Sequence, residues 1–140
     1  MTIITTPRPP LNLFDVVRVS VDDTSGGTLI YEVPTYRIPA EGPNPQRDVQ
    51  AAAILTNMIV ANTSAGAASV SIWALDKNGD QFFLAVDLAV AQDNYIKVDL
   101  DKQILQSEEQ LIVQAGAGNT VEVHLSFVLN QREEFTIVAP

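Results

Sequence analysis

LIVQAGAGNTVEVHLSFVLN, residues 111–130, decides how the rest of the chain is read. Two apolar runs flank the small turn Gly116-Ala117-Gly118-Asn119. In the second run Val121, Val123, Leu125, Phe127 and Leu129 share one parity, while Glu122, His124, Ser126 and Asn130 share the other. Successive side chains of a strand point to opposite sides of the sheet, so a period of two marks a half-buried β-strand. The stretch reads as a hairpin whose apolar face belongs to a core. Its polar face carries the chain's only histidine, beside no evident catalytic partner.

Working outward, the same period recurs. Val17, Val19 and Val21 share a face, with Val16, Arg18 and Ser20 opposite. Asp22 to Gly27 is a turn by composition, and Thr28 to Val33 is expected to return as the second strand of a hairpin. Ser69 to Leu75 and Gln81 to Val86 flank Asp76-Lys77-Asn78-Gly79-Asp80. Asn-Gly between two such runs predicts a hairpin with a type I′ turn. Tyr95 to Leu100 is another strand, Ile104-Leu105 is a short edge segment, and Phe135 to Val138 is a short tail that completes the list. Ala51 to Asn62 fits either a helix or a buried strand, because short apolar runs are ambiguous; the interleaving of Ile54, Met58 and Val60 with Thr56 and Asn57 favours the strand.

Prolines punctuate the rest. Residues 1–12 hold Pro7, Pro9 and Pro10 and read as an extended N-terminal arm. Residues 34–48 hold four prolines, which remove ladder donors; this proline-rich excursion is either a surface loop or an intersubunit contact. About eight strands with turn signals every eight to twelve residues predict an all-β fold, an antiparallel β-sandwich or jelly roll. At 140 residues the chain fits one domain, residues 13–140, behind the arm.

Composition narrows the function classes. Hydrophobic residues make up 46%, which excludes a wholly disordered chain, and no apolar run is long enough to span a bilayer as a helix. The first twelve residues lack the pattern of a secretory signal, and no membrane partner is expected. The absence of cysteine excludes disulfides and thiolate chemistry. Net charge is −9, and the eight basic residues (Arg8, Arg18, Arg37, Arg47, Lys77, Lys97, Lys102 and Arg132) form no run, so no nucleic-acid partner is expected.

Four constellations invite a chemical reading. His124 has Glu122 and Ser126 two residues to either side, but about 7 Å per two strand residues is too long for a triad. Asp76 to Asp80 superficially resembles a calcium loop; counted from Asp76, however, glycine falls at position four and Asp87 stands at position twelve. Gly116-Ala117-Gly118 precedes a strand and lacks the lysine of a phosphate loop. Glu108-Glu109 and Glu133-Glu134 are adjacent pairs, whereas glycoside hydrolysis needs carboxylates from separate segments flanking a sugar. No catalytic, cofactor-binding or metal-ligating residue is assigned on these grounds, and no cofactor is expected.

With the order of elements in hand, the C-terminal two-thirds resembles small β-sandwich virion proteins of tailed phages. The resemblance lies in Ile59-Val60-Ala61-Asn62-Thr63-Ser64-Ala65-Gly66 with Val70-Ser71-Ile72, then the Asn-Gly hairpin, then Leu111 to Phe127. TPRPPLNLFDVV (residues 6–17), YEVPTYRIPAEG (31–42) and RDVQAAAI (47–54) look like segments of structural proteins from contractile-tailed phages infecting marine cyanobacteria. These are packing and turn motifs, and they bring no catalytic residues with them. The resemblance implies a non-enzymatic virion structural protein, assembled in the host cytoplasm. It would form a homo-oligomer and attach to other virion proteins of capsid, neck or tail, for example as a capsid decoration or cement. The alternative is a receptor- or glycan-binding module of a tail fibre or baseplate, with Trp73 as the residue to test.

Overall fold

The computed structural model describes residues 2–9, 12–100 and 103–132. Eleven strands form among them: β1 (Ile3–Thr5), β2 (Asn12–Val21), β3 (Thr28–Glu32), β4 (Thr35–Ile38), β5 (Arg47–Asn62), β6 (Ala68–Leu75), β7 (Gln81–Val90), β8 (Tyr95–Val98), β9 (Ile104–Gln106), β10 (Gln110–Ala115) and β11 (Val121–Arg132). They build a seven-stranded and a four-stranded sheet that pack face to face as a β-sandwich. The expected all-β sandwich is therefore present, with eleven strands where about eight were expected. No helix among the described residues is long and apolar enough to cross a membrane.

β5, sixteen residues long, organises the large sheet. One edge pairs with β11 along its length; the other is shared in succession by β4, β9 and β8. Beyond β11 lies β2, and beyond β4 lies β1, the only parallel neighbour among the described residues. The Ala51–Asn62 run is thus a strand. It bears inward Ala51, Ala53, Leu55, Met58 and Val60, all at most 1% exposed. The step from Leu55 to Met58 crosses a β-bulge, which shifts the inward parity by one.

The small sheet has the order β3-β10-β6-β7. Its inward Val70, Ile72, Leu111 and Val113 meet Val121, Val123, Leu125 and Phe127 of β11 in one core cluster. Opposed apolar faces from two sheets are the ordinary way a sandwich removes surface from water.

Two expected hairpins are corrected. β10 and β11 lie in different sheets, so residues 111–130 form a corner crossing the sandwich rather than a hairpin. β2 and β3 likewise separate, β2 pairing with β11 and β3 with β10. Alternation assigns each side chain to a face but does not name the strand beside it, and that is where both expectations failed. The two corners bind each other: the Ala115 amide donates to the Asp22 carbonyl (3.0 Å) and the Gly118 amide to the Asp23 carboxylate (2.9 Å).

The Asn-Gly hairpin forms, with Leu75 opposite Gln81, although its turn differs from expectation. Only Gly79 has positive φ (+87°), and its amide donates to the Asp76 carbonyl at 3.0 Å. This is a three-residue loop with glycine in the left-handed position rather than type I′. The Asp76 carboxylate accepts the Asn78 and Asp80 amides at 2.8 and 3.0 Å.

In the 34–48 segment, Thr35–Ile38 becomes β4 and pairs on both edges, contrary to the expectation that the prolines exclude ladder pairing. Pro34, Pro39, Pro43 and Pro45 all fall outside the strand. Within residues 1–12, Ile3–Thr5 runs extended along β4, and the strand ends before Pro7. The Phe135–Val138 segment lies outside the described residues.

Candidate functional site

The register of the large sheet places outward side chains in rows that cross the strands. One row is apolar from edge to edge: Phe14 of β2 stands beside Val128 of β11, Val128 beside Ile54 of β5, and Ile54 beside Ile104 of β9. Phe14 is 80% exposed and Ile104 53%. The next row adds Val16, 44% exposed, beside Ser126. Beyond it comes a basic row, Arg18, His124, Ile59 and Lys97. Arg18 and Lys97 make no ion pair among the described residues.

The small sheet carries a second outward apolar row: Leu29, Ile112, Trp73 and Phe83, one from each strand. Its middle is covered, with Ile112 and Trp73 only 5% and 4% exposed; its ends, Leu29 and Phe83, remain open. The Trp73 and Phe83 rings lie 5.6 Å apart. A tryptophan so enclosed offers no face for a sugar to stack on.

The residues singled out from sequence are spread over the molecule rather than gathered. His124 Nε2 lies 4.0 Å from Glu122 Oε2, both partly exposed, beside a shallow hollow of about 190 Å³ shared with Arg18, Val19 and Ser20. Among the described residues His124 makes no hydrogen bond to a hydroxyl. Ser126 contributes its carbonyl, which accepts the Thr56 hydroxyl at 3.0 Å. The Asp76–Asn78 loop and Glu108-Glu109 do approach each other, around a polar groove of about 430 Å³ that also includes Gln50, Gln106 and Ser107. There Glu109 is occupied with its own turn, accepting the Gln106 amide at 2.7 Å. Among the described residues no three His, Cys, Asp or Glu side chains are placed to hold a metal ion. Glu133-Glu134 lie outside the described residues.

The titratable pair Arg37 and Asp48 is structural. Arg37 Nε lies 2.9 Å from Asp48 Oδ1, linking β4 to β5. The guanidinium hydrogen bond holds the Asp48 carboxyl below its usual value and raises Arg37.

Sequence reasoning missed the outward apolar rows. The signal was present at Val128, which stands where alternation calls for a polar side chain, whereas Ile54 shares its parity with the inward Met58 and Val60 and is turned outward only by the bulge between Leu55 and Met58. What no alternation pattern shows is that they fall side by side. No protein-family model matches the chain, and no curated protein is significantly similar to it.

Proposed function

We propose that this protein is a non-enzymatic virion structural protein of a tailed phage that self-associates and attaches to the particle at capsid, neck or tail. The observation that supports the associating part is the apolar row Phe14-Val128-Ile54-Ile104 on the outer face of the large sheet. Contiguous exposed apolar patches rimmed by polar residues mark contact sites on folded domains. The phage part rests on the resemblance of the strand and turn motifs described above. The scattered carboxylates and the isolated His124 fit a building block better than a catalyst.

Light scattering of the purified chain and mass spectrometry of purified particles test this reading together. An oligomer in solution and the chain's peptides in the particle would support it. A monomer absent from particles would overturn it. The glycan-binding alternative loses its tryptophan platform, since Trp73 is 4% exposed.

A further inference from the structure

The edge of a sheet is where a further strand can add, and folded proteins blunt their edges by shortness, bulges, proline or charge. Most edges of this sandwich are blunted. β1, β8 and β9 hold three, four and three residues, and β3 holds five with a register shift in its ladder. β7 is ten residues long, but its ladder with β6 shifts register twice and Asp87 has a positive φ of 49°. β2 is the exception. It pairs with β11 through ten consecutive residues without a shift and contains neither proline nor glycine. Among the described residues no strand lies on its other side. Three of its apolar side chains are open to water: Leu13 at 40%, Phe14 at 80% and Val16 at 44%.

Two observations fix which backbone groups face that edge. The Val16 amide donates to the Asp15 carboxylate at 2.8 Å, so it is not spent on β11. Independently, the Asn62 amide donates to the Asn94 carbonyl, on the β8 side of β5. Hydrogen-bonding sides alternate along an antiparallel strand. Ile59 therefore faces β11, its partner His124 faces β5, Leu125 faces β2, and its partner Val17 faces β11. Both routes leave Asn12, Phe14, Val16, Arg18 and Ser20 with amides and carbonyls turned to the open edge.

We infer that β2 pairs antiparallel with β2 of a second copy, about a two-fold axis through Val16, joining the two large sheets into one. Such an axis matches like faces of the two sheets and sets one residue opposite itself. Asp15 or Arg18 at the centre would oppose like charges, which destabilises a ladder. With Val16 at the centre, Phe14 stands opposite Arg18 of the second copy, and Asn12 opposite Ser20. All of these turn their backbone groups to the open edge, so each pair exchanges two hydrogen bonds. The guanidinium of the second copy's Arg18 then covers the exposed Phe14 ring as a cation–π contact. A centre at Val17 forms fewer such pairs and leaves Phe14 opposite Ser20. A second copy is the partner because this edge supplies both members of every pair, ring and cation included, which makes it complementary to itself. Asp15 sets the strength, since its carboxylate must release the Val16 amide before the opposing Val16 carbonyl accepts it. The inference rests on the self-association in the proposed function and on none of its claims about a particle.

The test uses full-length chains in sedimentation and cross-linking experiments. Phe14→Arg sets two cations opposite each other and should halve the wild-type mass; adding Arg18→Glu should restore it. Positions 14 and 18 lie about 14 Å apart along one strand, so recovery reports a contact between copies rather than within one. Phe14 is 80% exposed, and an unchanged far-UV circular dichroism spectrum should certify the fold of each variant. Asp15→Ala should lower the concentration at which association sets in. The chain has no cysteine, so a single introduced thiol reports one position. Val16→Cys should form a disulfide-linked dimer under mild oxidation, because residues paired across the axis have Cα atoms about 5.5 Å apart. Val86→Cys, on the bulged edge strand β7 and 63% exposed, should stay unlinked. A mass unchanged by Phe14→Arg, no recovery with Arg18→Glu, or linkage at Val86 in place of Val16 overturns the inference and leaves self-association to another surface. A monomeric wild-type chain overturns both the inference and self-association, while particle attachment keeps its own mass-spectrometric test.

Discussion

The Cα of Gly27 lies directly against the indole of Trp73. A Cβ built at Gly27 would come 2.8 Å from Trp73 Cη2 and 2.9 Å from Cζ2, and would also clash with Ile112 Cγ2. Gly27 has φ +80°, so the corner between β2 and β3 needs glycine for conformation as well as for space. This close approach is what covers the middle of the small sheet's outward row.

Gly27→Ala should therefore be strongly destabilising. Strained backbone costs on the order of 1–3 kcal/mol, and overpacking adds about 1–3 kcal/mol. Gly66, with no positive φ and open space around its Cβ position, is the control, and Gly66→Ala should be close to neutral. Urea midpoints of the two variants check this; equal midpoints would show that Trp73 yields at little cost.

Ser107 joins three segments through one buried hydroxyl. Its Oγ accepts the Ala51 amide at 2.7 Å and donates to the Pro34 carbonyl at 3.1 Å, and the residue is 5% exposed. Ser107→Ala orphans both backbone groups in a place water does not reach, at about 1–3 kcal/mol. Hydrogen exchange at the Ala51 amide should accelerate more than at Val60, a core amide on the same strand. Uniform acceleration of the two would mean that the hydroxyl holds no local structure.

The division between what sequence disclosed and what it hid follows from what period-two patterning encodes. It reported faces correctly: Val121, Val123, Leu125, Phe127 and Leu129 are all at most 3% exposed. It could not report neighbours, which is why residues 111–130 looked like a hairpin while β10 and β11 belong to opposite sheets. Long-range pairing depends on how two faces are closed over one core. The candidate contact face was hidden for the same reason, since Phe14, Val128, Ile54 and Ile104 come from four distant segments. Proline misled in two places: a four-residue strand, Thr35–Ile38, fits between Pro34 and Pro39, and Ile3–Thr5 of the arm pairs with it ahead of Pro7.

Phe127 and Phe14 separate core from contact surface. Phe127 is 2% exposed and its ring stacks on Tyr31 at 4.2 Å, so Phe127→Ala should cost about 3–5 kcal/mol. Phe14→Ala should change stability by no more than about 0.5 kcal/mol, since exposed side chains contribute little to folding. Denaturant curves recorded below the association threshold check both. A large loss for Phe14→Ala would place that ring in the fold rather than at a contact.

The same Tyr31 makes stability fall in alkali. Burial pushes its phenol above the ordinary value, with added repulsion from the Tyr36 and Asp15 charges, and burial raises Tyr36 as well. A folded-state pKa above the unfolded one means that the native state favours the neutral phenol. The contribution is then fully present below the unfolded value, about 10, and is lost as pH climbs beyond it toward the folded value. Stability measured by urea titration should hold level approaching pH 10 and decline above it. Tyr31→Phe should flatten that decline, and Tyr31→Phe with Tyr36→Phe should flatten it further. An undiminished alkaline slope in the double variant would assign the loss to other groups and refute the burial argument.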